Sequence, residues 1–198
     1  MASFQYPLHF DFKILTLASD FSIKDNAGNS IAFVRQKIFK LKEDVVVFNN
    51  ESRSQELFRI KANKWLDFNT TYTITTSDGQ NIGKVARKGM RSIWKATYDI
   101  FDYNDQHLFT VQEANAWIKV LDALANEIPI LSIFTGYLFN PKYLLKDNSG
   151  KITFELKKQP SFFGRRFVLD KISSVDDSQE GLVTLAMMMI VLLERYRG

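Results

Sequence analysis

Residues 182–193 read Leu-Val-Thr-Leu-Ala-Met-Met-Met-Ile-Val-Leu-Leu, and Thr184 carries the only polar side chain among them. A helix of this composition has no polar face, so it must be buried on every side. Twelve residues at ~1.5 Å each extend over roughly 18 Å, which is too short for the ~30 Å hydrocarbon core of a bilayer. We therefore predict a buried core helix, with a membrane anchor or a partner-docking helix as the alternative.

An eight-residue phrase recurs along the rest of the chain: an aromatic residue, an alternating stretch, and then Asp or Asn with Gly. It occupies residues 21–28, 72–79 and 143–150, and residues 98–105 form a looser copy without the Gly. A second alternating run follows each copy, at residues 31–35, 82–86, 152–156 and 108–111. Alternation with period two predicts half-buried strands, and Asp, Asn and Gly suit tight turns. The phrase therefore predicts a series of β-hairpins.

Four more segments have the pattern of strands, namely residues 8–15, 45–48, 56–60 and 167–171. The total is about a dozen strands, and a sheet of that size tends to curl or close, which removes its edges. Residues 115–126 favour a short amphipathic helix that Pro129 ends, and residues 130–139 an apolar connection. We predict one mainly β domain over residues 1–198, a closed antiparallel barrel of about 12 strands enclosing the C-terminal helix.

The predicted final helix has recognisable signals at both ends. Asp177 precedes Glu180 by three residues, a spacing that indicates a capping box and places acids at the positive end of the helix dipole. Arg195 and Arg197 follow the apolar run, where cations are favoured.

The composition excludes several classes of chemistry. The 198 residues include no Cys, so disulfides, thiolate catalysis and Cys-ligated zinc are ruled out. The N-terminus lacks the basic and apolar regions of a signal peptide, and we expect a cytoplasmic protein. The net charge of +4 is a mild basic bias, which moderately favours an anionic partner such as a membrane surface.

No motif in the chain indicates an active site. The two histidines, His9 and His107, lie in or beside predicted strands and are too few for a zinc cluster. Residues 79–84 resemble a phosphate-binding loop but precede a strand, so we interpret them as a hairpin turn. We expect a non-enzymatic protein with no catalytic residue, no metal and no cofactor.

A dozen hairpin-linked strands followed by a lone apolar helix resemble the tubby C-terminal-like fold, in which a closed barrel surrounds a central helix. Within it, residues 21–37, 140–143 and 162–167 resemble the LURP-one-related and phospholipid scramblase branch. The resemblance covers about residues 8–195. Animal scramblases have a Pro-rich extension, palmitoylated cysteines and an acidic calcium segment before the last helix. This chain has neither of the first two, and Asp170, Asp176, Asp177 and Glu180 lack the spacing of a calcium loop.

Basic residues are the best candidates for a binding site, because in tubby proteins a basic surface binds phosphoinositide head groups. The resemblance implies an analogous site, for which the candidates are Lys84, Arg87, Lys88, Arg91, Lys95, Lys157, Lys158, Arg165 and Arg166. A third group comprises Arg35, Lys37, Lys40 and Lys42. The simpler interpretation is that these cations keep an aromatic-rich barrel soluble and blunt its edges.

Three functional hypotheses follow. The first is a cytoplasmic module, peripheral at the membrane, that binds anionic phospholipid or phosphoinositide. The second is a protein-interaction or scaffold domain, and the third is a scramblase-like membrane activity, which requires the last helix to leave the barrel. Nucleic acid is not an expected partner, because the alternation directs most aromatic rings inward. The oligomeric state is left open.

Overall fold

The computed structural model describes residues 4–13, 19–37, 44–63, 70–88, 96–114, 140–160 and 165–195. The strands in these ranges are β1 (Leu8–Phe12), β2 (Phe21–Lys24), β3 (Ser30–Gln36), β4 (Asp44–Phe48), β5 (Glu56–Ala62), β6 (Thr71–Thr76), β7 (Asn81–Arg87), β8 (Thr97–Asp102), β9 (His107–Glu113), β10 (Lys142–Asp147), β11 (Ile152–Gln159) and β12 (Arg166–Lys171). One helix, α1, covers Asp177–Glu194. Each strand coincides with a predicted one, whereas the predicted helix 115–126 and connection 130–139 lie outside the described residues.

The strands form a closed antiparallel barrel in which each pairs with its neighbours in sequence. The first and last strands complete the ring, with Leu8 opposite Leu169 and Asp11 opposite Arg166. This closure confirms the predicted barrel and leaves no strand edge among the twelve.

The antiparallel order gives the barrel two different ends. At one, which we call the turn end, short turns at residues 25–29, 49–55, 77–80, 103–106 and 148–151 join the strands. At the other, the connection end, the odd-numbered strands finish and the links between successive hairpins begin. Because α1 follows β12, it starts at the turn end and finishes at the connection end.

The recurring phrase builds four similar hairpins. Its aromatic residue, which is Phe21, Tyr72, Tyr98 or Tyr143, is at most 4% exposed and belongs to the core. Seven residues later the backbone has a positive φ, at three glycines with φ between 83° and 93° and at Asp105 with φ of 65°. The looser copy without Gly therefore adopts the same turn, because Asp tolerates the left-handed conformation.

The helix fills the barrel as the sequence predicts. Residues 182–192 are at most 6% exposed, Thr184 included. The capping-box prediction is wrong: Asp176 is the N-cap residue, and no side chain caps the helix. Glu180 is instead buried and pairs with Lys171, because a carboxylate removed from water needs a charged partner. At the other end Arg195 donates to the carbonyl of Leu192 at 2.7 Å, as expected for a cation there, and Arg197 lies outside the described residues.

Within the described ranges, no helix is both long and apolar enough to cross a membrane.

Candidate functional site

The predicted basic residues do not form one continuous face. Two groups are described: Lys84, Arg87 and Lys88 lie on or directly after β7, and Lys157, Lys158, Arg165 and Arg166 lie on β11, directly before β12 or at its first residue. Three strands, β8 to β10, separate the two groups around the barrel. All seven except Lys84 lie at the connection end. Arg91 and Lys95 lie outside the described residues, as do Lys40 and Lys42.

Four of the seven, the wall cations, extend from the outer wall of the barrel and form ion pairs there. They are Lys84, Lys88, Lys157 and Arg166. The Nζ of Lys84 lies 2.6 Å from Asp105, and that of Lys88 lies 2.7 Å from Asp99. Lys157 contacts Glu155 and, at 3.4 Å, Asp170, whereas Arg166 lies 3.3 Å from Asp11. The charges of the wall cations are thus largely balanced by acids on the same wall.

Ion pairing is tightest around Glu155, which is buried beneath lysines. Burial opposes ionisation of Glu155, but hydrogen bonds from Lys142 and Lys157 outweigh it and lower the pKa of the carboxyl. The hydrogen bond to Glu155 in turn raises the pKa of Lys157. Both groups are therefore charged at neutral pH, and the arrangement is a structural network across β10 and β11.

Asp99 organises a second wall network, which contains one of the two histidines. Besides Lys88, it accepts a hydrogen bond from the Thr110 hydroxyl at 2.8 Å and lies 3.3 Å from Nε2 of His107. The other ring nitrogen of His107 lies 2.6 Å from the side-chain oxygen of Asn148. His107 thus links β8 and β9 to the turn after β10, which is a structural role.

The other three predicted residues, the rim cations, are Arg87, Lys158 and Arg165. Arg87 lies opposite the buried Tyr98 in the β7–β8 register, and Lys158 lies opposite the buried Phe167 in the β11–β12 register. Residues directly opposite each other project to the same side of a sheet. Arg165 precedes Phe167 by two residues and shares its phase. The rim cations therefore have the inward-facing phase of their strands and lie near the connection end of the barrel.

Beneath this rim, two buried carboxylates lie inside the barrel. Glu194, the last residue of α1, is fully buried and accepts hydrogen bonds from the hydroxyls of Tyr98 and Tyr143, the latter at 2.7 Å. Glu113, at the end of β9, is 2% exposed. Burial and the neighbouring Glu194 raise the pKa of Tyr143 well above its ordinary value, so its hydroxyl remains protonated and donates to the carboxylate.

Charge is distributed unequally between the two ends. At the connection end, twelve described cations stand against six acids; Arg59, Lys84 and Glu155 lie near the middle of their strands and are counted at neither end. The cations are Lys13, Arg35, Lys37, Lys61, Arg87, Lys88, Lys142, Lys157, Lys158, Arg165, Arg166 and Arg195, and the acids are Asp11, Asp20, Asp44, Asp99, Glu113 and Glu194. At the turn end, eleven described acids stand against five cations. The acids are Asp25, Glu51, Glu56, Asp78, Asp102, Asp105, Asp147, Asp170, Asp176, Asp177 and Glu180, and the cations are Lys24, Arg53, Lys146, Lys151 and Lys171.

Several acids of the turn end have structural roles in the turns. One carboxylate oxygen of Asp147 accepts the backbone N–H groups of Ser149 and Lys151, and Asp102 binds two backbone N–H groups in the same manner. Across the described ranges, no group of three or more His, Asp or Glu side chains is arranged to hold a metal ion. The acids before and within α1 are likewise separate, because Asp170 pairs with Lys157 and Glu180 with Lys171.

The comparison with known families identifies the family. The family model described as LURP-one-related matches residues 30–128, which is half of the chain and includes β3 to β9. The chain belongs to the LURP-one-related family. The twelve-stranded barrel with its C-terminal helix agrees with placing this LURP-one-related chain in the tubby-like superfamily. No curated protein and no solved structure matches the chain.

The polar contacts of the LURP-one-related barrel's interior escaped prediction from the sequence. Glu194 directly follows the apolar run, and the tyrosines that bind it open two copies of the recurring phrase. A lone acid at the end of an otherwise apolar helix is a signal for a buried partner, but the sequence does not say which strands supply the donors.

Proposed function

We propose that this barrel is a non-enzymatic module that associates peripherally with anionic phospholipid surfaces through its connection end. The observation that supports this proposal is the charge separation between the two ends. An anionic surface attracts the end with surplus cations and repels the acidic turn end, so the barrel has a preferred direction of approach.

The expected strength is that of reversible recruitment. Each Lys or Arg near an anionic membrane contributes about 1 kcal/mol, so six cations in excess would increase binding on the order of 10⁴-fold. Phosphoinositides, which the resemblance to tubby proteins implies as ligands, would bind more tightly because their phosphates carry more charge and accept bidentate hydrogen bonds from Arg.

Sedimentation with vesicles tests the proposal. The protein is mixed with phosphatidylcholine vesicles, with vesicles that also contain phosphatidylserine, and with vesicles that contain a phosphoinositide, at low and high salt. We expect binding to the anionic vesicles that decreases with salt, because exposed charges are screened. No binding to either anionic vesicle at low salt would refute the proposal.

A matched pair of charge reversals locates the binding end. Arg87→Glu with Lys88→Glu should weaken binding at least 100-fold, because each reversal at ~1 kcal/mol per charge removes one attraction and adds one repulsion. Lys146→Glu with Lys151→Glu changes the net charge equally at the turn end, and we expect an effect below about threefold because that end faces away from the lipid.

A protein-interaction role is the second candidate, and one observation favours it. Tyr103 and Ile172, the large apolar side chains that stand exposed among the described residues, both lie at the turn end, at 64% and 55% exposure. Tyr103→Ser with Ile172→Ser should abolish capture of a partner that binds there and leave vesicle binding unchanged. The scramblase-like alternative has no such support, because it requires exposure of α1 residues that are buried.

A further inference from the structure

We infer that Ser174, in the link between β12 and α1, is a phosphorylation site for protein kinases that select acidic residues after the target serine. The inference goes beyond the proposed function, since it concerns a covalent modification at the turn end of the barrel. The link consists of residues 172–176, which have no regular secondary structure and all belong to the described part of the chain.

The sequence alone offers several candidates with an acid three residues after a hydroxyl. Kinases whose peptide-binding cleft is basic recognise such a pattern of charge. The spacing occurs at Ser22, Thr75, Thr110, Ser173 and Ser174. Ser174 differs from the other four because acids occupy both the second and the third following positions, Asp176 and Asp177.

Three of these candidates lie in the wall of the barrel. Ser22, Thr75 and Thr110 belong to β2, β6 and β9, and each of these strands pairs with a neighbour on both sides. A kinase must enclose the target residue and the residues around it in its own cleft, and a strand in the middle of a closed sheet does not offer them. The structure therefore leaves the two serines of the link.

Within the link, Ser173 is held against the barrel and Ser174 is presented to water. The Ser173 hydroxyl donates to the carbonyl of Ile152 at 3.1 Å, and its backbone N–H donates to the carbonyl of Thr153 at 3.2 Å. On the other side, Val175 packs against the core. Ser174, between these two anchored residues, is exposed. The fold thus selects Ser174 over the serine beside it.

The acids that a basic kinase cleft would recognise are accessible as well. Asp176 is the N-cap residue of α1, with extended backbone and no hydrogen bond from its side chain to the helix, and Asp177 is the first helical residue. Both are exposed. A kinase that binds Ser174 therefore meets two carboxylates directly after the target, and opposite charges across an interface promote association.

The reaction is a phosphoryl transfer from ATP that the kinase supplies. The Oγ of Ser174 forms a bond to the γ-phosphorus of ATP, while the bond between that phosphorus and the bridging oxygen breaks and ADP leaves. The hydroxyl proton passes to the catalytic Asp of the kinase. The product adds about −1.5 to −2 charges at neutral pH, two residues after the exposed Ile172, so the modification changes the acidic turn end.

Incubation of the full chain with casein kinase 2 and ATP tests the site, and mass spectrometry of the resulting peptides locates the phosphate. We expect one phosphate, on Ser174. Ser174→Ala should abolish its incorporation, whereas Ser173→Ala, the matched control, should retain it. Phosphate on another residue, or none at all, would overturn the assignment. Vesicle binding plays no part in this measurement, so its failure would leave the proposed function standing.

Paired charge removals test recognition through the two acids. Asp176→Asn with Asp177→Asn should slow phosphorylation of Ser174 about tenfold or more, because complementary charge across an interface increases the rate of association. Asp78→Asn with Asp105→Asn removes the same charge from other turns of this end and should change the rate less than about twofold. Asp176→Glu with Asp177→Glu keeps the charge and should restore the rate. Equal slowing by the two Asn pairs would overturn the role of these acids.

Discussion

At Gly83, β7 lies against the central helix with no room for a side chain. A Cβ atom there would stand 2.5 Å from the carbonyl oxygen of Phe101 and 2.8 Å from Cδ1 of Leu182. The backbone also has a φ of 154°, which side chains disfavour. We predict that Gly83→Ala lowers the free energy of unfolding by about 2–4 kcal/mol, measured by urea denaturation, because both overpacking and backbone strain apply.

Gly79→Ala is the matched control, since Gly79 has a φ of 93° but a Cβ atom added there would meet no other atom within 4 Å. At this position only the left-handed backbone conformation disfavours a side chain, so the free energy of unfolding should fall by about 1–2 kcal/mol. Equal losses for the two variants would mean that neither the Phe101 carbonyl nor Leu182 of α1 crowds the position of Gly83.

Asp147 should make the stability of the protein depend on pH. The Ser149 hydroxyl and backbone N–H groups donate to its carboxylate and hold its pKa below the ordinary value. A carboxyl whose pKa is lower in the folded state stabilises the fold above its unfolded pKa of about 3.9, and that contribution is lost as the pH falls toward the folded pKa. Asp147→Asn keeps an acceptor that does not titrate, so the variant should lose less stability below about pH 4.

Denaturation of both proteins along a pH series measures this difference, and NMR titration of the Asp147 carboxyl measures its pKa directly. Ser149→Ala removes the strongest donor and should raise that pKa. An unchanged pKa in the Ser149→Ala protein would contradict the assigned cause.

At the scale of elements, α1 is held in the barrel by polar contacts at its two ends and by apolar packing between them. Glu180 pairs with Lys171 at the start, and Glu194 accepts hydrogen bonds from Tyr98 and Tyr143 at the finish. An apolar helix slides more readily than one with polar contacts at fixed positions, because unpaired buried polar groups are costly. These carboxylates therefore define the position of α1 along the barrel axis.

Tyr143→Phe tests the contact at the finish of α1. It removes one donor to a fully buried carboxylate and should lower the free energy of unfolding by about 1–3 kcal/mol. Tyr103→Phe, at an exposed tyrosine, makes the same chemical change and should stay within about 0.5 kcal/mol. Thermal and urea denaturation compare the two, and equal small effects would show that the Glu194 contact does not stabilise the helix.

The elements were predictable from the sequence because each one repeats a local rule. Alternation gives most of the strands, and the Asp–Gly turn signals give the hairpins of the recurring phrase, including the copy in which Asp105 replaces Gly. The capping box failed because Glu180 faces the interior, and a local spacing does not reveal which side of a helix is covered. The partners of Glu194 come from β8 and β10, so they depend on closure of the barrel.

The arrangement of the candidate basic residues was less predictable for a related reason. Lys84, Arg87 and Lys88 form one group in the sequence, yet the pleat of β7 directs the first and third to the wall and the second to the rim. Lys158 and Arg165 lie at the same end of the barrel as Arg87, with three strands between them, because the sheet closes on itself. The sequence predicts which residues of each strand face inward and which face outward. It does not predict where the strands lie relative to one another around the barrel.

At the scale of the whole molecule, the charge separation follows from how hairpins are built. Asp side chains at the turn end accept backbone N–H groups, as Asp102 and Asp147 do, so every short turn tends to add negative charge to that end. All five short turns lie at the same end because the strands alternate in direction. The surplus cations of a chain with net charge +4 therefore accumulate at the connection end.

If this distribution rather than net charge governs membrane binding, equal additions of charge at the two ends should differ in effect. Gln36→Lys, Gln112→Lys and Gln159→Lys add three cations at the connection end and should tighten binding to phosphatidylserine-containing vesicles roughly 100-fold at low salt. Ser77→Lys, Gln80→Lys and Asn104→Lys add three at the turn end, about 27 Å away by the length of α1. Because the Debye length at ~0.1 M salt is ~10 Å, the second triple should change binding less than about threefold. Equal tightening would show that the membrane responds to total charge alone, and the two ends would then be equivalent in binding.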